Sequence, residues 1–178
     1  MEFETERLVL REFAKSDAEA VHAYASMGSV ARYMSFGPFS EGDARRFVRN
    51  AVSAARRRPR HDYALAIVPK DEQRPVGVVH LGRKTVESME AEISFALHPA
   101  YWGRGLVPEA VRSLLGFGFE TLGLHRIYGE CHPDNVASAR VMEKVGMRYE
   151  GTFREKRWIK GKWWDIAHYA ILDHEHAK

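Results

Sequence analysis

The sequence predicts an α/β fold of the α+β kind, with a mixed and mostly antiparallel sheet. Three observations predict it. The apolar pattern changes period along the chain in the order strand, helix, helix, two or three strands, helix, strand, helix, two strands. Polar turns at 69–75 and 160–162 join successive strands as hairpins. The unit strand 90–97, helix 107–122, strand 126–131 is a crossover, right-handed if its strands are parallel. The 178 residues carry no repeat, linker or low-complexity tract, so one domain over 1–178 is expected.

Each element has a local cause. Leu8 and Leu10 alternate within Arg7–Arg11, which reads as a strand. Ser16-Asp17-Ala18-Glu19 reads as a capping box that starts a helix near Asp17. Ser40-Glu41-Gly42-Asp43 opens a second helix, whose Ala44, Phe47, Val48, Ala51, Val52 and Ala55 keep helical spacing until Pro59 ends it. Tyr63, Leu65 and Ile67 alternate before the first hairpin turn, and Val76, Val78 and Val79 follow it. In Glu90–Leu97, Ile93, Phe95 and Leu97 share one face, with Glu92, Ser94 and Ala96 on the other. Gly123 closes the helix 107–122, and Gly146 closes a helix over 135–145.

Composition narrows the class. Hydrophobic residues make up 45% and charged residues 29%, which argues against disorder. The net charge of +3 does not by itself demand a polyanionic partner. No run reaches the roughly 18 apolar residues of a membrane span, and the acidic start differs from a signal peptide. The single Cys131 permits no intrachain disulfide and fits a reducing compartment, so a soluble cytoplasmic protein is expected.

The most informative stretch is 97–110, where a strand runs into Gly103-Arg104-Gly105 and a helix starts at once, with Pro108 suited to its first turn. Such a turn is either a plain tight connection or an anion site. In the second case backbone N–H groups and the helix dipole face a pyrophosphate, with Arg104 beside it. The dinucleotide fingerprint is set aside because Pro108 stands where a third glycine is needed, and the P-loop because no Gly-Lys-Ser/Thr occurs.

Residues 93–106 resemble the acyl-coenzyme A motif of the GNAT superfamily of N-acetyltransferases. Residues 135–147 resemble its second motif, Asn-x-x-Ser…Glu-Lys-x-Gly-Phe. Thr5–Arg11 and Glu150–Glu155, with Asp165 and Tyr169, are similar to the branch of ribosomal-protein alanine and serine N-terminal acetyltransferases. The resemblance implies about seven strands, helices on both faces, and a V-shaped splay between strands 4 and 5 (90–97 and 126–131). It implies acetyl-CoA as cosubstrate, with Phe95, Ala96 and Leu97 pairing with the pantetheine arm. Gly103, Arg104, Gly105, Leu106 and Val107 would hold the pyrophosphate at the helix start near Pro108. Asn135 would bond the arm, with Ser138 one turn on.

Glu92 is the expected general base, in an Ala-Glu-Ile-x-Phe context found in the family, and Glu130 and Glu155 are weaker alternatives. A backbone N–H at or beside Leu97 is the expected oxyanion donor. Family members often carry a tyrosine acid seven residues after the asparagine. Met142 stands there, and Ser138 is the candidate to supply a proton or a hydrogen bond in its place. The expected acceptor is a protein N-terminal α-amine. A polyamine, amino acid or aminoglycoside is the alternative, as are another acyl group such as succinyl and a non-catalytic acyl-CoA-binding or RNA-docking module.

The remaining features have two readings each. Seven arginines between 44 and 60 are either a ribosome or acidic-partner docking face or the solvated side of a helix. Trp158, Trp163 and Trp164 are core, homodimer contacts or an acceptor wall. His98, His125 and His132 lack paired ligand spacing and His174 and His176 lie at the C-terminus, so no metal is expected.

Overall fold

A computed structural model describes residues 1–176, so the last two residues of the expected 1–178 domain lie outside the described part. Eight strands form one sheet: β1 (Glu2–Glu4), β2 (Leu8–Glu12), β3 (Asp62–Pro69), β4 (Gly77–Gly82), β5 (Glu90–Leu97), β6 (Arg126–Cys131), β7 (Arg148–Ile159) and β8 (Lys162–Leu172). Their order is β1-β2-β3-β4-β5-β6-β8-β7, antiparallel throughout except for the β5–β6 pair. The eighth strand, β1, is absent from the sequence expectation. Its three residues offer almost no period to read, and its pairing with Val9–Arg11 of β2 makes it a strand.

Alternation sorts the sheet into two faces. Leu8, Leu10, Leu65, Ile67, Val79, Leu81 and Ile93 meet helices α4 (Leu106–Gly116) and α5 (Val136–Lys144) in the larger core. Ala66 and Val68 meet α1 (Ala18–Ala25) and α3 (Glu41–Arg56) on the other face. A single turn, α2 (Gly28–Ala31), connects them.

Local expectations fail in two places. Ser16 does not cap α1, because the N-cap position falls one residue later on Asp17, whose carboxylate pairs with Arg11 (2.7 Å) and accepts from the Ala14 N–H (2.7 Å). Ser16 therefore falls inside a 3-10 turn, and α1 begins at Ala18. The helix expected over 107–122 is α from 106 to 116 and then widens to a π turn, where the Leu122 N–H reaches the Phe117 carbonyl at 3.1 Å. Gly118 sits in that turn against the sheet, where a Cβ would stand 2.6 Å from Ile127. By contrast Ser40 does cap α3, accepting from the Asp43 N–H at 3.2 Å.

Candidate active site

Strands β5 and β6 pair over three residues only, Glu90–Glu92 with Arg126–Tyr128, and both then continue apart. The expected splay is thus present. The Arg126 N–H donates to Met89 (3.2 Å), and the His98 N–H donates to Val76 (2.8 Å). Strand alternation between these bonds turns the main-chain groups of Phe95 and Leu97 into the opening and those of Ala96 towards β4. Ala96 nevertheless lines the cleft. The Leu97 carbonyl accepts from the half-exposed Trp102 indole N–H at 2.7 Å, which leaves the Leu97 amide facing the opening.

The cleft has a volume of about 490 Å³ and runs from the splay along the starts of α4 and α5. Gly103 (φ +75°) and Gly105 (φ +78°) hold left-handed backbone that other residues adopt only at a cost. Gly105 is the N-cap of α4 and supplies no capping side chain, so the Leu106 and Val107 N–H groups stay free for a ligand, while Pro108 has none to satisfy. Of the expected turn residues, all but Arg104 line the cleft. The Arg104 guanidinium instead lies over the Tyr101 ring at 5.1 Å. Tyr101 in turn donates to the Glu72 carboxylate, which pushes its phenol above the usual range.

A bracket unseen in the sequence fixes this turn. Arg7 bonds Glu109 through Nε (2.7 Å) and its main-chain N–H (2.9 Å), and donates from Nη1 to the Arg104 carbonyl (2.8 Å). Thr5 donates to the same carboxylate at 2.6 Å. Burial opposes the Glu109 charge, but these donors outweigh it and hold the carboxyl below its ordinary range.

On the α5 side, the Asn135 Oδ1 accepts from the Ser138 N–H (3.3 Å), which caps the helix and leaves the Asn135 amide N–H groups to donate outward. Ser138 lines the cleft, as do Arg140 and Lys144, two cations to which no role was assigned from sequence. Met142 is only 2% exposed and packs over Gly129 of β6, where a Cβ would stand 2.7 Å from its sulfur. The tyrosine position of the family is therefore core in this chain and offers no proton.

The expected carboxylates fare differently. Glu92 stands at the last paired rung of the splay, opposite Tyr128 and Gly82, and lines neither this cleft nor the one described next. Glu130 accepts from Lys156 (2.5 Å) and bridges Arg157 and His168. Its burial opposes ionisation, but these cations prevail and hold it below the usual range, where a base gains nothing. Glu155, at φ +48°, donates its N–H to Asp165 on the exposed hairpin. Burial raises the Cys131 thiol to about 11, which removes it as a nucleophile.

A second cleft of about 260 Å³ opens on the α3 face and meets the first at Met34, Phe95 and Ala96. Its walls are mainly apolar, including Phe36, Phe47 and Val78, and Asp62 is the only acidic residue lining it. Among the seven arginines, Arg45 pairs with Glu41 (2.5 Å), Arg46 with Asp43, and Arg60 with Glu12 (2.6 Å), so three of the seven charges are met within the chain. Trp164 is buried; Trp158 and Trp163 are exposed and stacked edge-on, and neither lines a cleft already described.

No helix of the described residues is long and apolar enough to cross a membrane. Residues 7–148 match the acetyltransferase (GNAT) domain family. The chain is 36% identical over 180 residues to the uncharacterized N-acetyltransferase YnaD of Bacillus subtilis, covering 98% of this chain and 99% of that one. It is similar to the crystal structure of a GNAT-family acetyltransferase from Bacillus anthracis, at 35% identity and TM-score 0.87, over 98% of this chain and all of that one. The fold alone is shared with two more distant structures. One is the ribosomal-protein-S5-alanine acetyltransferase of Vibrio fischeri (22% identical, TM-score 0.82, all of both chains). The other is the spermidine N-acetyltransferase of Vibrio cholerae in complex with CoA and spermine (20%, TM-score 0.80, 96% and 98%). The splayed sheet, its glycine turn and these matches together make the chain a member of the GNAT acetyltransferase family, an acetyl-CoA-dependent N-acetyltransferase.

Proposed function

We propose that the chain acts as one domain and acetylates the α-amine of a protein N-terminus. The observation that carries the acceptor choice is the second cleft, whose walls are apolar and whose only acidic lining residue is Asp62. A polyamine carries several ammonium groups and calls for several carboxylates. An N-terminal peptide brings one ammonium and an otherwise neutral chain.

Acetyl-CoA supplies an acetyl group activated as a thioester. The outward main-chain groups of Phe95 and Leu97 fit the pantetheine arm, helped by the free Asn135 amide donors and the Ser138 hydroxyl. The N–H groups of the 103–107 turn fit the pyrophosphate, and Arg140 and Lys144 provide positive charge around it. The outward direction of the Leu97 amide supports a role as donor to a developing oxyanion.

The amine must be neutral to attack. With a pKa of about 7.7–8, roughly one α-amine in ten is neutral at pH 7, against about one lysine-like amine in several thousand. An α-amine therefore asks little of the protein's base. A thiol with a pKa near 8.5 leaves as thiolate without an acid, which agrees with the buried Met142.

A thiol-release assay with peptides beginning Ala or Ser, with spermidine and with an aminoglycoside tests the reading. The peptides should turn over with the highest kcat/KM. Faster turnover of spermidine would replace the acceptor, and CoA binding without turnover of any amine would leave a binding module.

A further inference from the structure

Three polar side chains from three strands form a row on the floor of the second cleft. His80 of β4 stands opposite Ser94 of β5, and Asp62 of β3 lies on the diagonal. His80 Nε2 bonds the Asp62 carboxylate, and the Ser94 hydroxyl oxygen lies 3.4 Å from His80 Nδ1. Gly82 makes this possible. A Cβ there would stand 2.8 Å from His80 Cε1, so the imidazole reaches Asp62 only across a residue without a side chain. A carboxylate only accepts, so Nε2 carries the proton and Nδ1 presents a lone pair to Ser94.

We propose that this row takes the proton of the acceptor amine. The reading rests on the acetyl-transfer function argued above and replaces Glu92 as the base. The row lies beside Phe95 and Ala96, where the two clefts meet, whereas Glu92 lines neither. The ammonium N–H bond breaks towards Ser94 Oγ as the Ser94 proton passes to His80 Nδ1. The freed nitrogen lone pair forms the amide C–N bond, the thioester C–S bond breaks, sulfur leaves with the electron pair as thiolate, and the second nitrogen proton, made acidic by the new C–N bond, passes to water. Asp62 holds the ring in its tautomer and stabilises the imidazolium. Ser94 is the residue that touches the acceptor, and His80 and Asp62 act through it.

The charged and polar surroundings of His80 are few. Asp62 faces it from β3, Ser94 and the diagonal Glu92 from β5, and Asn50 lines the cleft from α3. His61 and Arg57 act on the Asp62 charge. The bond to His80 is the largest influence on Asp62 and, against its burial, helps hold it below its usual range.

The test is the pH–rate profile from 6 to 10, with a peptide beginning Ala or Ser, for the wild type and for His80→Gln, Ser94→Ala, Ser94→Thr and Glu92→Gln, each with its CoA Kd by calorimetry. His80→Gln and Ser94→Ala should lower kcat about tenfold at pH 7, where only about one α-amine in ten is already neutral, with CoA Kd within twofold. The deficit should shrink above pH 9, where solvent has already deprotonated the amine. Ser94→Thr should keep most of the rate. A kcat and acid limb unchanged in His80→Gln, a deficit constant across the pH range, or loss of the acid limb in Glu92→Gln overturns the proposal. If His80→Gln does not fold, Ser94→Ala against Ser94→Thr decides it. If the wild type binds CoA but acetylates no amine, the function argued above fails and the base assignment with it.

Discussion

The two clefts that meet at Phe95 are built in different ways. The larger offers main-chain groups along one side: the divergent edge of β5, the Gly103–Gly105 turn and the first N–H groups of α4. The smaller is made of side chains gathered from β3, β4, β5 and α3. A main-chain site needs only a short run of residues with the right backbone, and it tolerates the exchange of most side chains. A site assembled across strands needs particular side chains at particular registers. The difference suits an enzyme that keeps one donor and changes its acceptor.

The comparison can be broken by lesions confined to one side. The largest effect is expected at Gly129→Leu, on β6 under the larger cleft, because the added side chain meets Met142 within the core. We expect about 1–3 kcal/mol of destabilisation, read as a fall of several degrees in Tm. Gly105→Val comes next. Forcing a β-branched residue into φ +78° costs about 1–2 kcal/mol, so CoA Kd should rise about tenfold with the thermal stability of the sheet nearly kept. Gly82→Ala should do the reverse, crowding His80 and lowering kcat severalfold while CoA Kd stays within twofold. Matching changes in both constants for either variant would show that the clefts are not separable.

Arg7→Lys is a milder donor-side lesion. Lysine cannot span Glu109 and the Arg104 carbonyl together, so CoA Kd should rise a few-fold without a change in the pH profile. The smallest effect concerns acid stability. Glu109 and Glu130 are both held below the ordinary carboxylate range in the folded chain. Their contribution is complete above the unfolded value near 4.5 and is lost as pH falls through the lower folded values. Thermal unfolding from pH 6 to 3 should steepen below about pH 4.5, and Glu130→Gln should flatten part of that slope.

How much of this was legible in the sequence follows the same division. The strands β5 and β6 and the glycine turn could be read directly, because their signals lie within a few residues of one another. The main-chain direction of Ala96 could not, since it depends on which neighbour β5 bonds on each side. The Arg7–Glu109 bracket joins residues about a hundred positions apart, and neither belongs to a local pattern. Asp62, His80 and Ser94 carry no motif at all. Only the β3–β4–β5 register, with Gly82 between them, brings them together. The start of α1 was read one residue early at Ser16: the N-cap position is Asp17, whose side chain pairs with Arg11 of β2, a contact that no local pattern shows.

The three-residue pairing of β5 with β6 has one more consequence. A sheet open in its middle carries unpaired amides within its own interior, where exchange with solvent is ordinarily slowest. In heavy water the Phe95 and Leu97 amides should therefore exchange quickly for residues in the centre of a sheet, and slow by orders of magnitude once the donor lies between the strands. A donor seated there as proposed would act as a missing strand removed after each turnover, so that the stability of the sheet would rise and fall with the catalytic cycle.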